Sequence, residues 1–185
     1  MTETQDKAAA LRFKDCLVAI QQEASAERRL RLCAEYLDDD SLGRMEIGVL
    51  HGCMGATYFE LAYTRLQAAR ATGKPSQADL AQVERDLGES VQEYTAAIGM
   101  NPGNYMDHLN RGLCYEFLGD LDQALSDYTQ TVRSKPDFAK GYLYRARMLE
   151  RQGEKEKAVA DTREAHRLDP EDAEVVAAMS RRGLT

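Results

Sequence analysis

The chain has 185 residues, of which 43% are hydrophobic and 30% charged, enough for a domain with a real core and too apolar for a disordered tail. With 24 Lys and Arg against 31 Asp and Glu, the formal charge of −7 repels phosphate backbones and argues against a nucleic-acid partner. Four prolines and thirteen glycines exclude a linker-rich chain, and the Ala-, Leu-, Glu- and Arg-rich segments favour helix almost throughout, with no sheet.

The opening segment, MTETQDKAAALRFKDCLVAI, scatters charges through its length. It lacks the apolar centre of a signal peptide, and no run downstream reaches membrane length, so the expected location is cytoplasmic, with no membrane partner. A helix is predicted from about Lys7 to Gln22, then a second over ERRLRLCAEYL, Glu27 to Leu37. Arg28, Arg29 and Arg31 read as a solvated face because Glu27 and Glu35 flank them. Cys16, Cys33, Cys53 and Cys114 form no CxxC pair and keep no company with histidine. They read as buried free thiols, not as a zinc site or disulfide framework.

In the next stretch, Leu61, Leu66 and Ala69 recur at three-and-four spacing. Leu80, Val83, Leu87 and Val91 do the same beyond the turn sequence TGKPS. Ser76 and Asp79 have the spacing of a capping box. The pattern predicts a long helical hairpin.

The C-terminal half repeats itself. Residues 104–138 and 138–172 align with the pairs Gly112/Ala146, Gly119/Gly153, Ala124/Ala158, Thr131/Ala165 and Pro136/Pro170, all 34 apart. Each pair has a physical task. Gly112 and Ala146 are small where two helices cross, and Gly119 and Gly153 end the first helix of each unit in a left-handed turn. Ala124 and Ala158 let the second helix pack back closely, with Tyr115 and Tyr128 filling the space, and the prolines stop it. HGCMGATY (His51 to Tyr58) and SVQEYTAAIGMNP (Ser90 to Pro102) form an earlier copy split by an insertion of about 23 residues. EDAEVVAAMSRR, after Pro170, predicts a final helix with Val175, Val176 and Met179 facing inward.

Gly112, Tyr115, Gly119, Ala124, Tyr128 and Pro136 resemble the tetratricopeptide repeat pattern of 34 residues. The second copy departs from it at Leu149 and Thr162. The resemblance implies an all-α, right-handed helical repeat solenoid of about three units. The expected single domain over residues 1–185 comprises N-terminal helices with a decayed repeat (1–45), a first repeat with an extended hairpin (48–103), a second (104–138), a third (139–171) and a capping helix (172–185). It further implies that the first helices of the units line a concave groove that binds peptides. Carried onto this chain, the groove is Phe59, Met106, Leu109, Asn110, Leu113, Lys140, Leu143, Tyr144 and Arg147, with Val49, Gly52, Ala56, Glu116 and Glu150 beside them. Its floor runs from apolar to charged, an arrangement suited to a peptide with hydrophobic anchors and an acidic end. Asn110 and Lys140 match two positions of the subgroup that grips chaperone C-termini with a carboxylate clamp. Gly52, Ala56 and Tyr144 replace the other three polar residues, which argues against that ligand.

No Ser/His/Asp order, Gly-rich phosphate loop or HExxH spacing is present, so neither an enzyme nor a cofactor or metal is expected. His51 and His108 share a position that Tyr142 fills in the third copy, and all three read as inter-helix packing residues. The expected function is non-catalytic binding of another protein or peptide in the groove. Two alternatives are an export-type or co-chaperone protein that dimerises through its N-terminal helix, and a scaffold subunit that docks through the hairpin.

Overall fold

The structure, a computed structural model, describes residues 3–184, with side chains from Ala10 onward. Residues 1–2 and 185 of the expected domain, and the Lys7 side chain, lie outside the described residues. Among the described residues the chain is nine helices and no strand: α1 (Glu3–Gln22), α2 (Ala26–Leu37), α3 (Arg44–Ala71), α4 (Gln77–Met100), α5 (Tyr105–Leu118), α6 (Leu121–Ser134), α7 (Ala139–Arg151), α8 (Lys155–Leu168) and α9 (Ala173–Arg181). The all-α repeat architecture is as expected. The chain divides into two compact units, Met1–Pro102 and Gly103–Thr185.

The first unit joins a small three-helix core to a long hairpin. Cys16 and Ile20 from α1, Cys33 from α2 and Leu50 from α3 form that core, with Phe13, Leu32, Cys53 and Met54 packed against it. Helices α3 and α4 are the arms of the predicted hairpin. Helix α4 starts at the predicted capping box, in which Ser76 Oγ accepts from the Asp79 N–H at 3.1 Å and Asp79 Oδ2 accepts from the Ser76 N–H at 2.9 Å. Ala62, Leu66, Val83 and Leu87 are buried between the arms. Leu80 does not join them. It lies in the first turn of α4 beside the connection that closes the hairpin and is 44% exposed. The arms approach closely at Gly55, where a Cβ would stand 3.0 Å from the Tyr94 ring, and Ser90 Oγ donates to the Gly55 carbonyl at 2.7 Å.

The second unit holds two helix pairs and a final helix. Gly119 and Gly153 both adopt φ +84°, a conformation that costs other residues roughly 1–2 kcal/mol. The following N–H groups of Asp120 and Glu154 donate to the Tyr115 and Leu149 carbonyls at 2.9 and 2.8 Å, so each turn satisfies carbonyls left open by its helix end. Ala124 and Ala158 are fully buried at the return of the second helix. Helices α6 and α8 end in extended residues, Lys135 and Asp169, because the prolines that follow disfavour helical geometry there. Tyr128 and Met148 are completely buried in the core that α5, α6 and α7 share. Burying a side chain of that size contributes about 2–3 kcal/mol of transfer free energy. In α9, capped by Asp172, Val175 and Met179 are buried as the spacing predicted, and Ala178 is buried with them. Val176 is 43% exposed, because it lies 100° round the helix from Val175, outside the arc that Ala178, Val175 and Met179 share.

Candidate functional site

The second unit presents two matching helix faces. Met106, Asn110, Leu113 and Phe117 recur at i, i+4, i+7 and i+11 along α5. Lys140, Tyr144, Arg147 and Arg151 occupy the positions 34 residues later along α7. Met106 and Phe117 are 38% and 46% exposed, and Asn110, Leu113, Lys140, Tyr144 and Arg147 are half-buried. Leu113 and Tyr144 both pack on the edge of the core around Tyr128, which fixes the two faces side by side.

Two expected groove residues lie elsewhere. Leu109 and Leu143 are 4% and 6% exposed and belong to the cores beneath the face. Each stands one position away from a residue that does face outward, so their apolar surface is already spent on packing. Phe59 sits half-buried on α3 in the first unit, where Val49 is 42% exposed.

The electrostatics of the face differ from the expected cationic end. Glu116 accepts from Tyr128 Oη at 3.0 Å and from Arg147 Nη2 at 2.5 Å, and Arg151 Nη1 lies 3.9 Å away. Burial drives the Tyr128 phenol well above the usual tyrosine value, which keeps its proton on the oxygen as a donor to Glu116. The Arg147 guanidinium also lies over the Tyr144 ring, 4.7 Å from its centroid, a stacked arrangement that orients both groups. Lys140 Nζ is 3.9 Å from Asp172, and Arg182 Nη2 is 2.5 Å from Glu150. Each of these cations has a carboxylate of the same chain within 4 Å, with Glu116 serving both Arg147 and Arg151.

A second set of polar contacts joins the helices of each pair. Arg111 Nε and Nη2 donate to Asp127 at 2.9 and 2.8 Å, while Arg145 donates through the same two atoms to Asp161 at 2.7 Å each. His108 Nδ1 lies 3.2 Å from Asp127, and His51 Nδ1 lies 2.7 Å from Glu93. The histidines therefore sit between helices, as expected, but their partners are carboxylates and not only apolar rings. Sequence reasoning passed over Arg111, Asp127, Arg145 and Asp161. The available signal was an Arg and an Asp sixteen residues apart, recurring one repeat later.

Two crevices lie away from this face. One of about 610 Å³, between the hairpin arms, is lined by Arg65, Ala68, Thr72, Gln82 and Arg85. The other, of about 330 Å³, is lined by Leu125, Thr129, Leu149, Lys157 and Ala160. Cys16, Cys33 and Cys114 are buried free thiols and Cys53 is a half-buried one. Among the described residues no group of three or more His, Cys, Asp or Glu side chains is placed to hold a metal ion. No helix among them is long and apolar enough to cross a membrane.

Residues 115–173 match a tetratricopeptide repeat family model. No curated protein matches the sequence. Among solved structures, the chain is similar to the Arabidopsis OM64 TPR domain, at 25% identity and a TM-score of 0.58 over 76% of this chain and 97% of that one. It is also similar to the first TPR of Spaghetti (RPAP3) bound to the HSP90 peptide SRMEEVD, at 18% identity and a TM-score of 0.52 over 70% and 90% of the two chains. A third likeness, to an IFIT1 monomeric mutant with Gppp-AAAA, has 14% identity and a TM-score of 0.69, and covers 87% of this chain and 35% of that one. At these identities the second and third likenesses concern the fold alone.

Proposed function

We propose that this chain, which belongs to the tetratricopeptide-repeat proteins, is a non-catalytic interaction module that binds a segment of a partner protein across the α5–α7 face. The observation that carries this reading is the pair of equivalent stripes, Met106 to Phe117 and Lys140 to Arg151. They leave apolar and hydrogen-bonding side chains half-exposed on a rigid, well-packed support. Such a surface suits an extended or helical peptide, with apolar anchors for affinity and Asn110 for main-chain contacts. The RPAP3 domain with the same fold is bound to a peptide.

Affinity capture from the source organism's lysate tests the proposal, with the wild-type chain beside a Leu113→Asp variant whose helicity is checked by circular dichroism. A partner held by the wild type and lost by the variant supports binding at this face. The same partner on both overturns it.

The hairpin supports a second reading as a scaffold contact, because its arms leave the large apolar side chains of Tyr63 and Leu80 exposed. A partner that survives Leu113→Asp and is lost with Leu80→Asp favours that reading.

A further inference from the structure

Glu116 stands where three donors from α6 and α7 converge: the Tyr128 hydroxyl, Arg147 Nη2 and, at 3.9 Å, Arg151 Nη1. Its side chain is only 16% exposed, so these contacts are screened less than surface pairs. A carboxylate arriving on a ligand would have to displace Glu116 or share the arginines with it, and two carboxylates at one guanidinium repel. Beside them Lys140 has Asp172 as its counter-charge. What the face still offers is apolar burial at Met106 and Leu113, together with unmet hydrogen-bonding capacity. Arg147 Nε is buried without an acceptor and out of a ligand's reach, so the half-buried Asn110 amide is what can meet a peptide bond without bringing a charge.

We propose that Glu116 sets the ligand class of this face: the α5–α7 surface takes a peptide segment with apolar side chains and no carboxylate, and Glu116 rejects acidic segments. The inference rests on the reading of this face as peptide-binding and adds a residue that discriminates by repulsion. A carboxylate so placed does two things. It holds Arg147 stacked on Tyr144 as part of the wall, and it lowers the positive potential that would attract acidic chains.

The test pans a displayed library of random dodecapeptides on the full-length wild type, Glu116→Gln and Asp172→Asn, each shown by thermal melt to be folded. Glutamine at 116 keeps an acceptor for Tyr128, and asparagine at 172 keeps the α9 cap, so loss of fold in one variant leaves the other informative. Peptides recovered on the wild type are expected to carry about threefold less Asp and Glu than the starting library, and those on either variant to carry more than it. Equal acidic content on all three proteins, or acidic enrichment on the wild type, overturns the role of Glu116. If the wild type enriches nothing, or enriches peptides that still bind Leu113→Asp, the face is not a peptide site. The functional proposal then falls, and this inference falls with it.

Discussion

Arg111 grips Asp127 with two parallel hydrogen bonds across α5 and α6, and the carboxylate is buried to 4% side-chain exposure. The same fork recurs 34 residues on between Arg145 and Asp161, with that carboxylate at 11%. Removing one partner of a buried pair leaves an uncompensated charge and costs roughly 3–5 kcal/mol, whereas replacing both by apolar groups can be nearly neutral. Asp127→Ala is therefore expected to destabilise strongly, Asp161→Ala less, and Arg111→Met with Asp127→Leu less than Asp127→Ala alone. Urea unfolding of the four proteins checks the order. A double variant as weak as the single one would show that the pair contributes more than it costs to bury.

Helix crossings show how the repeats compensate. A Cβ on Gly112 would come within 2.7 Å of the Tyr128 ring, and Gly55 meets Tyr94 in the same way. At the equivalent positions one repeat later stand Ala146 and the smaller Thr162, both fully buried. Gly112→Ala is thus expected to cost roughly 1–3 kcal/mol as an overpacked contact. Combined with Tyr128→Thr, which recreates the third repeat's pairing, it should cost less than the two single changes added together. A double-mutant cycle by chemical denaturation reads that coupling. Strict additivity would mean that the helices separate freely and that the crossing is not size-matched.

Gly119, Gly153, Ala124 and Ala158 made the fold legible, because each identity answers a backbone or packing demand that chemistry alone imposes. The contacts of Glu116 were not legible. They depend on how one hairpin lies on the next, which places Arg147 rather than a nearer basic residue at its oxygen. The fork between Arg111 and Asp127 hid for a related reason, since its sixteen-residue offset means nothing until the turn between α5 and α6 is known. Leu109 and Leu113 carried the same apolar signal, yet only Leu113 reaches the surface. A rotation of the helix by a few tens of degrees decides between them, finer than a periodicity read from one sequence.

Two buried carboxylates of one repeat should titrate in opposite senses. For Asp107, burial pushes the carboxyl above the ordinary aspartate value of 3.8, and the hydrogen bond from Asn104 only partly offsets it. For Asp127, burial is also the largest influence, but the hydrogen bonds and charges of Arg111 and His108 together outweigh it and hold the group below 3.8. A raised carboxyl favours the folded state at low pH, and that advantage is lost as pH rises through its folded value. A depressed one contributes stability above 3.8 that disappears as pH falls through its folded value. Asp107→Asn is therefore expected to stabilise near neutral pH, with the gain fading as pH falls through the raised folded value and gone by 3.8. The loss caused by Asp127→Asn should shrink only below 3.8, as pH falls through the depressed folded value. Stability measured for each variant from pH 7 down to about 3 checks both slopes. A gain from Asp107→Asn that grows on acidification would reverse the assignment.

The thiols of the first unit give a way to watch its core open. Burial, then the neighbouring Cys53, pushes Cys16 up to about 11 and Cys33 up to about 12. Both side chains are fully buried in one cluster with Ile20 and Leu50. At pH 8 only about one thiol in a thousand at Cys16, and fewer at Cys33, would be thiolate even if a reagent reached it, and the thiolate is the reactive form. Alkylation of the native protein at these positions is expected to be negligible, and it should begin only where denaturant opens the core. Since one cluster holds both, Cys16 and Cys33 should become labelled at the same denaturant concentration when alkylation is resolved by peptide mass spectrometry. Labelling of Cys16 at a lower concentration than Cys33 would mean that α1 detaches while α2 stays packed on α3, and that the apolar cluster is not a cooperative unit.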